Sequence, residues 1–306
     1  MPLPSAKLLL AEIFAAIDLQ LDPVKVMTRP MAFYVALAAA TGVTYAWLMA
    51  SHGFRFHTSH GVQMLVRPAS APGKGRPIIF LHGLGVGLAQ YAHFLSSVGN
   101  SQRGAVLVLQ PHISAQAWHP RFLRAPTATE FVAAIESGAV AASIHSGAAV
   151  VSHSNGTMQH GWLARRLPGL CAQNVLVDPV SLKLWEGDVC HSFLHREWRT
   201  SGDVLLGFAV ARELGVARTI SRDFQWRDML LWEWELPVEP DTHTLRVVLG
   251  TDDALIDARG IARHLVDECG IPQECVRLMP GHEHGDSLVK RCSGLAAVLD
   301  ALQLSP

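Results

Sequence analysis

A serine set in a run of small residues carries the main signal of catalytic chemistry in the sequence. Residues 148–151 are apolar and lead into Ser152-His153-Ser154-Asn155-Gly156, and residues 158–167 are typical of a helix. A tight turn between a strand and a helix exposes the serine hydroxyl, and small flanking residues avoid collisions with neighbouring elements. The start of the helix adds amide donors that favour an oxyanion. The pattern therefore predicts a nucleophile elbow with Ser154 as the nucleophile.

Two later segments offer the acid and the base that a serine nucleophile needs. Gly250-Thr251-Asp252-Asp253 follows one apolar strand, and Pro280-Gly281-His282-Glu283-His284 follows the next. In an open parallel sheet, loops at the carboxyl ends of the strands meet at one edge. The order serine, aspartate, histidine favours a catalytic triad over the alternative in which Ser154 only caps the helix.

The elements that must position these groups alternate along the chain. Apolar strands are predicted at residues 77–81, 104–110, 174–178, 244–250 and 275–279, with an edge strand or hairpin at 54–68. Such strands, separated by helices, are typical of a mostly parallel sheet covered on both faces. We therefore expect an α/β fold, with a helical insertion at residues 181–240.

An uncharged segment near the N-terminus contributes to the apolar composition, which is 49% hydrophobic and 17% charged. Residues 31–50 contain no charge, and a helix of this length is about as long as a bilayer core is thick, roughly 30 Å. Tyr34, Tyr45 and Trp47 lie towards its ends, as interfacial aromatic residues do. We expect a single-pass membrane anchor on an otherwise cytoplasmic protein. The alternative is an apolar helix that packs on the following domain or in a dimer interface. Residues 5–21 predict a second, amphipathic helix.

Several classes of partner are excluded by composition and spacing. The net charge is −1 without a basic block, so nucleic acid is not expected. The five cysteines include no C-x-x-C pair, which argues against a disulfide framework and a zinc site. The glycines at 83, 85 and 87 lack the spacing of a phosphate-binding loop. We therefore expect no cofactor and no metal.

These segments together resemble the α/β-hydrolase superfamily over about residues 53–302. The resemblance is carried by the following runs: His82-Gly83-Leu84-Gly85, Ser152-His153-Ser154-Asn155-Gly156, Asp178-Pro179, Gly250-Thr251-Asp252-Asp253 and Pro280-Gly281-His282-Glu283-His284. Residues 219–226 and Leu231-Trp232 are similar to a little-characterised branch of membrane-tethered hydrolases.

The resemblance implies a serine hydrolase that cleaves a carboxylic ester through an acyl-enzyme. Ser154 would be the nucleophile, His284 the base and Asp253 the orienting acid. The backbone amides of Leu84 and Asn155 would receive the oxyanion.

Two of these assignments leave an alternative open. Relatives place the acid third after the glycine, which selects Asp253 over Asp252. They also place the histidine in the pattern Pro-Gly-x-x-His, which selects His284 over His282.

The apolar N-terminal segment and the resemblance together predict the following domain layout. Residues 1–52 form an N-terminal helical segment with the anchor at 31–50, and residues 53–306 form the hydrolase domain with a cap at 181–240. Five tryptophans in the cap indicate an apolar pocket, and therefore an apolar or lipid-like ester as the substrate. The alternative is that these tryptophans form the cap's own core. A non-catalytic protein that binds a ligand or acts as a membrane scaffold is the second hypothesis.

Overall fold

The computed structural model of the protein describes residues 23–70, 75–186, 206–237 and 240–305, with the single positions 189, 192, 193 and 204. The helix predicted at residues 5–21 lies outside these ranges, and so does much of the predicted cap between residues 187 and 205.

A sheet of eight strands forms the centre of the molecule. The strands are β1 (Arg55–Ser59), β2 (Val62–Arg67), β3 (Ile78–Leu81), β4 (Ala105–Val108), β5 (Ala148–His153), β6 (Cys171–Val177), β7 (Leu245–Gly250) and β8 (Val276–Met279). Their spatial order is β1-β2-β4-β3-β5-β6-β7-β8. The pairs β1–β2 and β2–β4 are antiparallel, and all other neighbours are parallel. The predicted α/β fold with a mostly parallel sheet is confirmed.

Helices cover both faces of this sheet. The α-helices are α1 (Met31–His52), α2 (Ala92–Asn100), α3 (Ala128–Ala141), α4 (Gly156–Arg166), α5 (Leu214–Arg218), α6 (Trp226–Met229), α7 (Ala258–Arg263), α8 (Asp286–Val289) and α9 (Ser293–Ala301). Short π-helical segments are Gly207–Ala211, Thr219–Asp223 and His264–Glu268, and short 3-10 segments are Gly87–Tyr91, Pro111–Ile113, Glu233–Glu235 and Gln273–Cys275. Helix α3 begins at a capping box, in which Thr127 and Glu130 each bind the other's backbone amide.

The core consists of two layers, one on each face of the sheet. In β3, Ile79 and Leu81 pack in the layer beneath α3 and α4, whereas Ile78 and Phe80 pack in the layer beneath α2 and α9. Successive side chains of a strand point to opposite faces, so a strand buried on both faces is apolar at every position. This explains why the central strands are uninterrupted apolar runs in the sequence.

Helix α1 is long and apolar enough to cross a membrane, and no other helix in the described ranges is. One stripe of it lies against the domain. The Tyr34 hydroxyl donates to Glu213 Oε1 at 3.0 Å, Gln116 Nε2 donates to the Tyr45 hydroxyl at 3.3 Å, and Leu48 is fully buried. The helix therefore contacts the domain near both of its ends.

Candidate active site

Ser154 occupies a sharp turn between β5 and α4. Its φ angle is 51°, in the left-handed region that a residue with a side chain rarely adopts. Its backbone N–H donates to the Val177 carbonyl at 3.0 Å, which holds the turn against β6. A Cβ atom at Gly156 would lie 2.2 Å from the Leu81 carbonyl oxygen, so only glycine fits there. The small residues of the motif are thus required by close backbone packing.

Ser152 stands where many proteins with this motif carry glycine. Its buried hydroxyl lies 2.8 Å from His160 Nδ1, and His160 Nε2 lies 2.8 Å from Asn174 Oδ1. Burial lowers the pKa of His160 to about 4, so this imidazole is neutral near pH 7. The extra hydroxyl is therefore accommodated by a buried chain of polar partners that links α4 to β6.

The structure brings together the three side chains that the sequence selects. His284 Nε2 lies 2.7 Å from Ser154 Oγ, and His284 Nδ1 lies 2.6 Å from Asp253 Oδ2. The Asp253 side chain is fully buried, and its Oδ1 atom accepts two backbone N–H groups of the loop after β7. With its proton on Nδ1, His284 donates to Asp253 and leaves Nε2 as an acceptor for the Ser154 hydroxyl.

The two alternative residues, His282 and Asp252, form hydrogen bonds with other groups than Ser154. His282 Nδ1 lies 3.1 Å from the carbonyl oxygen of Pro280, and its Nε2 lies 3.4 Å from Ser293 Oγ. Asp252 is exposed and accepts the hydroxyl of Thr251 at 2.9 Å. Neither residue has a contact with Ser154 in the described part of the chain.

Asp178 is a further acid at this site, and sequence reasoning assigned it no role. It directly follows β6, its φ angle is 42°, and its side chain is buried. Asp178 Oδ1 accepts the Gly250 N–H at 2.9 Å, and Oδ2 accepts the Gly285 N–H at 2.8 Å. One carboxylate therefore ties the loop that carries Asp253 to the loop that carries His284. The available signal was an aspartate at the end of a buried strand, beside the strand that precedes Asp253.

The charges around His284 set its protonation. Burial lowers the pKa of this imidazole, but the charge and hydrogen bond of Asp253, together with the charge of Asp178, outweigh burial and raise it. The ring of His153 lies 5.4 Å from that of His284. Burial, followed by the charge of His284, keeps the pKa of His153 well below its usual value, so His153 adds no positive charge.

Asp178, Asp253 and His284 are spaced closely enough to bind a metal ion. One donor atom of each lies within 4.8 Å of those of the other two. However, both oxygens of each carboxylate already accept hydrogen bonds. Both ring nitrogens of His284 are also engaged. This use of the donor atoms favours a hydrogen-bonded chain leading to Ser154 over a metal centre.

The sequence predicts that the N–H groups of Leu84, in the loop after β3, and of Asn155, the residue after Ser154, receive an oxyanion. On either side of Leu84, the Gly83 N–H donates to the Tyr91 hydroxyl at 3.0 Å and the Gly85 N–H donates to Ile113 at 3.1 Å. Within the described ranges, the N–H groups of Leu84 and Asn155 have no protein acceptor. The loop after β3 and the start of α4 therefore each keep one donor available.

A small cavity adjoins the turn at Asn155 and is lined on one side by residues between 219 and 229. Its wall combines six apolar side chains (Ala125, Pro126, Trp162, Ile220, Phe224 and Met229) with four polar ones (His112, Asn155, Gln159 and Thr219). Burial is the main reason that the pKa of His112 is lowered to about 3, so this wall is uncharged near neutral pH.

The cap tryptophans that the structure describes do not line this cavity. The rings of Trp185 and Trp232 are stacked with their centroids 5.8 Å apart, and the rings of Trp232 and Trp234 are stacked with their centroids 4.4 Å apart. Trp185 and Trp232 are half-buried and Trp234 is 65% exposed, so these residues contact one another without forming a buried core of their own. Trp198 lies outside the described residues.

Comparison with known proteins identifies the fold. No family profile matches the sequence, and no curated protein is similar to it in sequence. The solved structures that are similar in fold include the following three. A membrane phospholipase A, described as a bacterial virulence factor, is 15% identical with a TM-score of 0.54, over 89% of this chain and 97% of that one. Epoxide hydrolase VrEH1 from Vigna radiata is 13% identical with a TM-score of 0.54, over 83% and 98%. Carboxylesterase CesB (YbfK) from Bacillus subtilis is 12% identical with a TM-score of 0.52, over 89% and 98%.

The class of protein follows from these similarities and from the strand order. The chain has the α/β-hydrolase fold, as the sequence predicts. At such identities the similarity concerns the fold, and the chemistry has to be argued from the site itself.

Proposed function

We propose that the protein is a serine hydrolase that cleaves a carboxylic ester through an acyl-enzyme. Ser154 is the nucleophile, His284 the general base and Asp253 the orienting acid. The observation that carries this proposal is the chain of two short hydrogen bonds, 2.7 Å from Ser154 to His284 and 2.6 Å from His284 to Asp253. Solved structures with the same fold include an enzyme described as a carboxylesterase and another described as a phospholipase A, which agrees with ester cleavage.

The mechanism follows from the positions of the donors and acceptors. His284 Nε2 takes the hydroxyl proton as Ser154 Oγ attacks the ester carbonyl, and Asp253 stabilises the imidazolium. The carbonyl oxygen becomes an oxyanion, which the N–H groups of Leu84 and Asn155 receive, each worth about 3 kcal/mol in the transition state. His284 then returns the proton to the leaving alcohol. A water molecule, activated by the same imidazole, hydrolyses the acyl-enzyme.

The substrate is proposed to be an apolar or lipid-like ester. The cavity beside Asn155 is walled mainly by apolar side chains, among them Trp162, Ile220 and Phe224. The polar groups of Gln159 and His112 interrupt the wall and give a bound chain a defined position.

We also propose that the protein associates with a membrane through α1. This helix is uncharged between residues 31 and 50, and a solved structure of the same fold is described as a membrane phospholipase A. An enzyme held at a bilayer would meet lipid-like esters at high local concentration. The sequence predicts that this segment is a membrane-spanning anchor.

The experiment is hydrolysis of p-nitrophenyl esters from acetyl to palmitoyl by the full chain. We expect a preference for medium or long chains, and a loss of at least about 1,000-fold in kcat for Ser154→Ala. Ser293→Ala, which removes a hydroxyl beside His282, is the matched control and should keep wild-type activity. Wild-type turnover by Ser154→Ala, or no turnover of any ester by the wild type, would contradict the proposal. Equal rates on acetyl and palmitoyl esters would remove the lipid-like substrate.

A further inference from the structure

The outward side of α1 has an unusual composition for a helix docked on a domain. The residues of α1 that are not exposed between 31 and 50 are those at 33, 34, 37, 41, 44, 45, 47 and 48, which form one stripe with a repeat of three to four positions. Every exposed residue between 31 and 50 is alanine, valine, methionine or glycine. Val43 is 70% exposed and Val35 is 53% exposed. A docked helix that faces water carries polar residues on its outer side, whereas this one carries none along this stretch.

The apolar surface continues onto neighbouring elements. Phe56 on β1 is 47% exposed, and its ring lies 5.7 Å from that of Tyr45 on α1. In the loop at residues 114–126, Trp118 is 58% exposed and Leu123 is 41% exposed. The same loop contacts α1, since Gln116 binds Tyr45. We call the outward side of α1, together with Phe56, Trp118 and Leu123, the α1 face. An exposed apolar area of this kind marks an interaction surface.

The charge distribution points to the partner. Residues 23–129 contain nine lysines and arginines and no aspartate or glutamate, whereas residues 130–306 contain fifteen basic and 23 acidic residues. Lys25, Arg55 and Arg124 are exposed next to parts of the α1 face. Two acidic side chains contact this region from other elements: Glu213 is buried and accepts the Tyr34 hydroxyl, and Glu130 forms an ion pair with Arg121. Among the described residues, the exposed charged side chains next in sequence to Phe56 and Leu123 are Arg55 and Arg124, and basic residues beside an apolar area complement an anionic lipid surface.

We propose that the α1 face lies in the plane of an anionic membrane surface while α1 stays docked on the domain. The helix is held by Tyr34 near its start and by Tyr45 and Leu48 near its end. A helix fixed in this way cannot cross a bilayer unless those contacts break or the domain enters the hydrocarbon. This placement departs from the spanning anchor that the sequence predicts. It goes beyond the proposed ester hydrolysis and does not depend on the chemistry of Ser154.

The start of α1 contacts residues of the predicted cap. The Met27 N–H donates to the Arg212 carbonyl at 3.1 Å, and Phe33 packs on Phe208 with ring centroids 6.2 Å apart. The start of α1 is thus attached to the cap region. Docking of the α1 face would hold the cap beside the lipid, where an apolar ester can pass directly from the membrane.

Vesicle flotation with the full chain tests the proposal. We expect binding to phosphatidylcholine/phosphatidylglycerol vesicles to be at least about tenfold stronger than to phosphatidylcholine alone. Val35→Glu combined with Val43→Glu places two charges on the α1 face without touching the docked stripe, and should weaken binding at least about tenfold. The matched control is Val140→Glu, a 67% exposed position on α3, which packs on the other side of the sheet. It should bind within about twofold of wild type.

Three results would overturn the proposal. The first is vesicle binding by the Val35→Glu/Val43→Glu variant that equals wild type. The second is wild-type protein that stays in the bilayer after an alkaline carbonate wash, as a spanning helix does, rather than being released. The third is a wild-type dimer that ignores vesicles and becomes monomeric in that variant, which would make the face an interface between copies. Turnover of a short soluble ester by the same variants reports the chemistry separately, so failure of the ester hydrolase proposal would be recognised as such.

Discussion

Asp178 and Gly285 are joined by a hydrogen bond of 2.8 Å between a buried carboxylate oxygen and a backbone N–H. Gly285 directly follows His284, and the other oxygen of Asp178 accepts the N–H of Gly250 at 2.9 Å. The loops bearing the acid and the base are therefore fixed to the same side chain. Asp178 is a positioning residue, which holds the distance between Asp253 and His284 without contacting Ser154.

Replacement of Asp178 by asparagine tests this role. Asparagine keeps one acceptor, loses the other and removes a negative charge near His284, so we expect kcat to fall about 10- to 100-fold. Because Asp178 contributes to the raised pKa of His284, the acidic limb of the kcat/KM profile should also move to lower pH. Asp252→Asn, at an exposed acid in the same region, is the control and should change neither quantity. If kcat falls but the acidic limb of the kcat/KM profile does not shift, Asp178 supports only the structure of the two loops and does not affect the pKa of His284.

The two histidines of the loop after β8 offer a matched pair. His284→Gln removes the base that lies 2.7 Å from Ser154 and should lower kcat at least about 1,000-fold. His282→Gln changes a ring that binds the Pro280 carbonyl and should stay within about threefold of wild type. The measurement is steady-state kinetics on one ester with both purified variants. The assignment of the base would be wrong if the two effects were reversed.

The pH dependence of the wild type follows from the raised pKa of His284. The general base must be neutral, and a raised pKa keeps the imidazole protonated to higher pH. Activity should therefore fall on acidification, with a midpoint for kcat/KM above the ordinary histidine value of 6.5. A profile that is flat down to pH values well below this midpoint would show that no histidine of this kind limits the rate.

The packing around the turn at Ser154 predicts that replacement by alanine destabilises the protein much more at Gly156 than at Gly161, a second glycine of α4. A Cβ at Gly156 would lie 2.2 Å from the Leu81 carbonyl oxygen, so Gly156→Ala should lower the free energy of unfolding by about 2–4 kcal/mol. A Cβ at Gly161 would meet its nearest atom at 3.5 Å, an ordinary contact. Gly161→Ala should change stability by less than about 1 kcal/mol. Urea denaturation of both variants measures the difference, and equal stabilities would contradict the geometry of the turn.

Much of the fold could be predicted because the buried strands are short apolar runs that end in glycine or in a polar residue. The elbow was predictable for a related reason, since Gly156 is required by a backbone contact that no other residue allows. Motif spacing also selected Asp253 and His284, the two side chains that the structure brings to Ser154. Their catalytic roles stay a prediction until the variants are measured.

The remaining features could not be predicted, for identifiable physical reasons. The partners of Asp178 are backbone N–H groups, which every residue except proline possesses, so no pattern of residue types marks the bridge. The docked stripe of α1 is invisible in the sequence because the exposed positions are as apolar as the buried ones. The tryptophans of the cap were ambiguous because packing with one another and lining a cavity require the same residue type.

The most direct test of the account is the site of covalent modification by a fluorophosphonate, measured by mass spectrometry of the intact chain and its peptides. We expect one adduct per chain, located on Ser154, absent from Ser154→Ala and formed much more slowly by His284→Gln. An adduct on another residue, or undiminished labelling of Ser154→Ala, would contradict the assignment of Ser154 as the nucleophile.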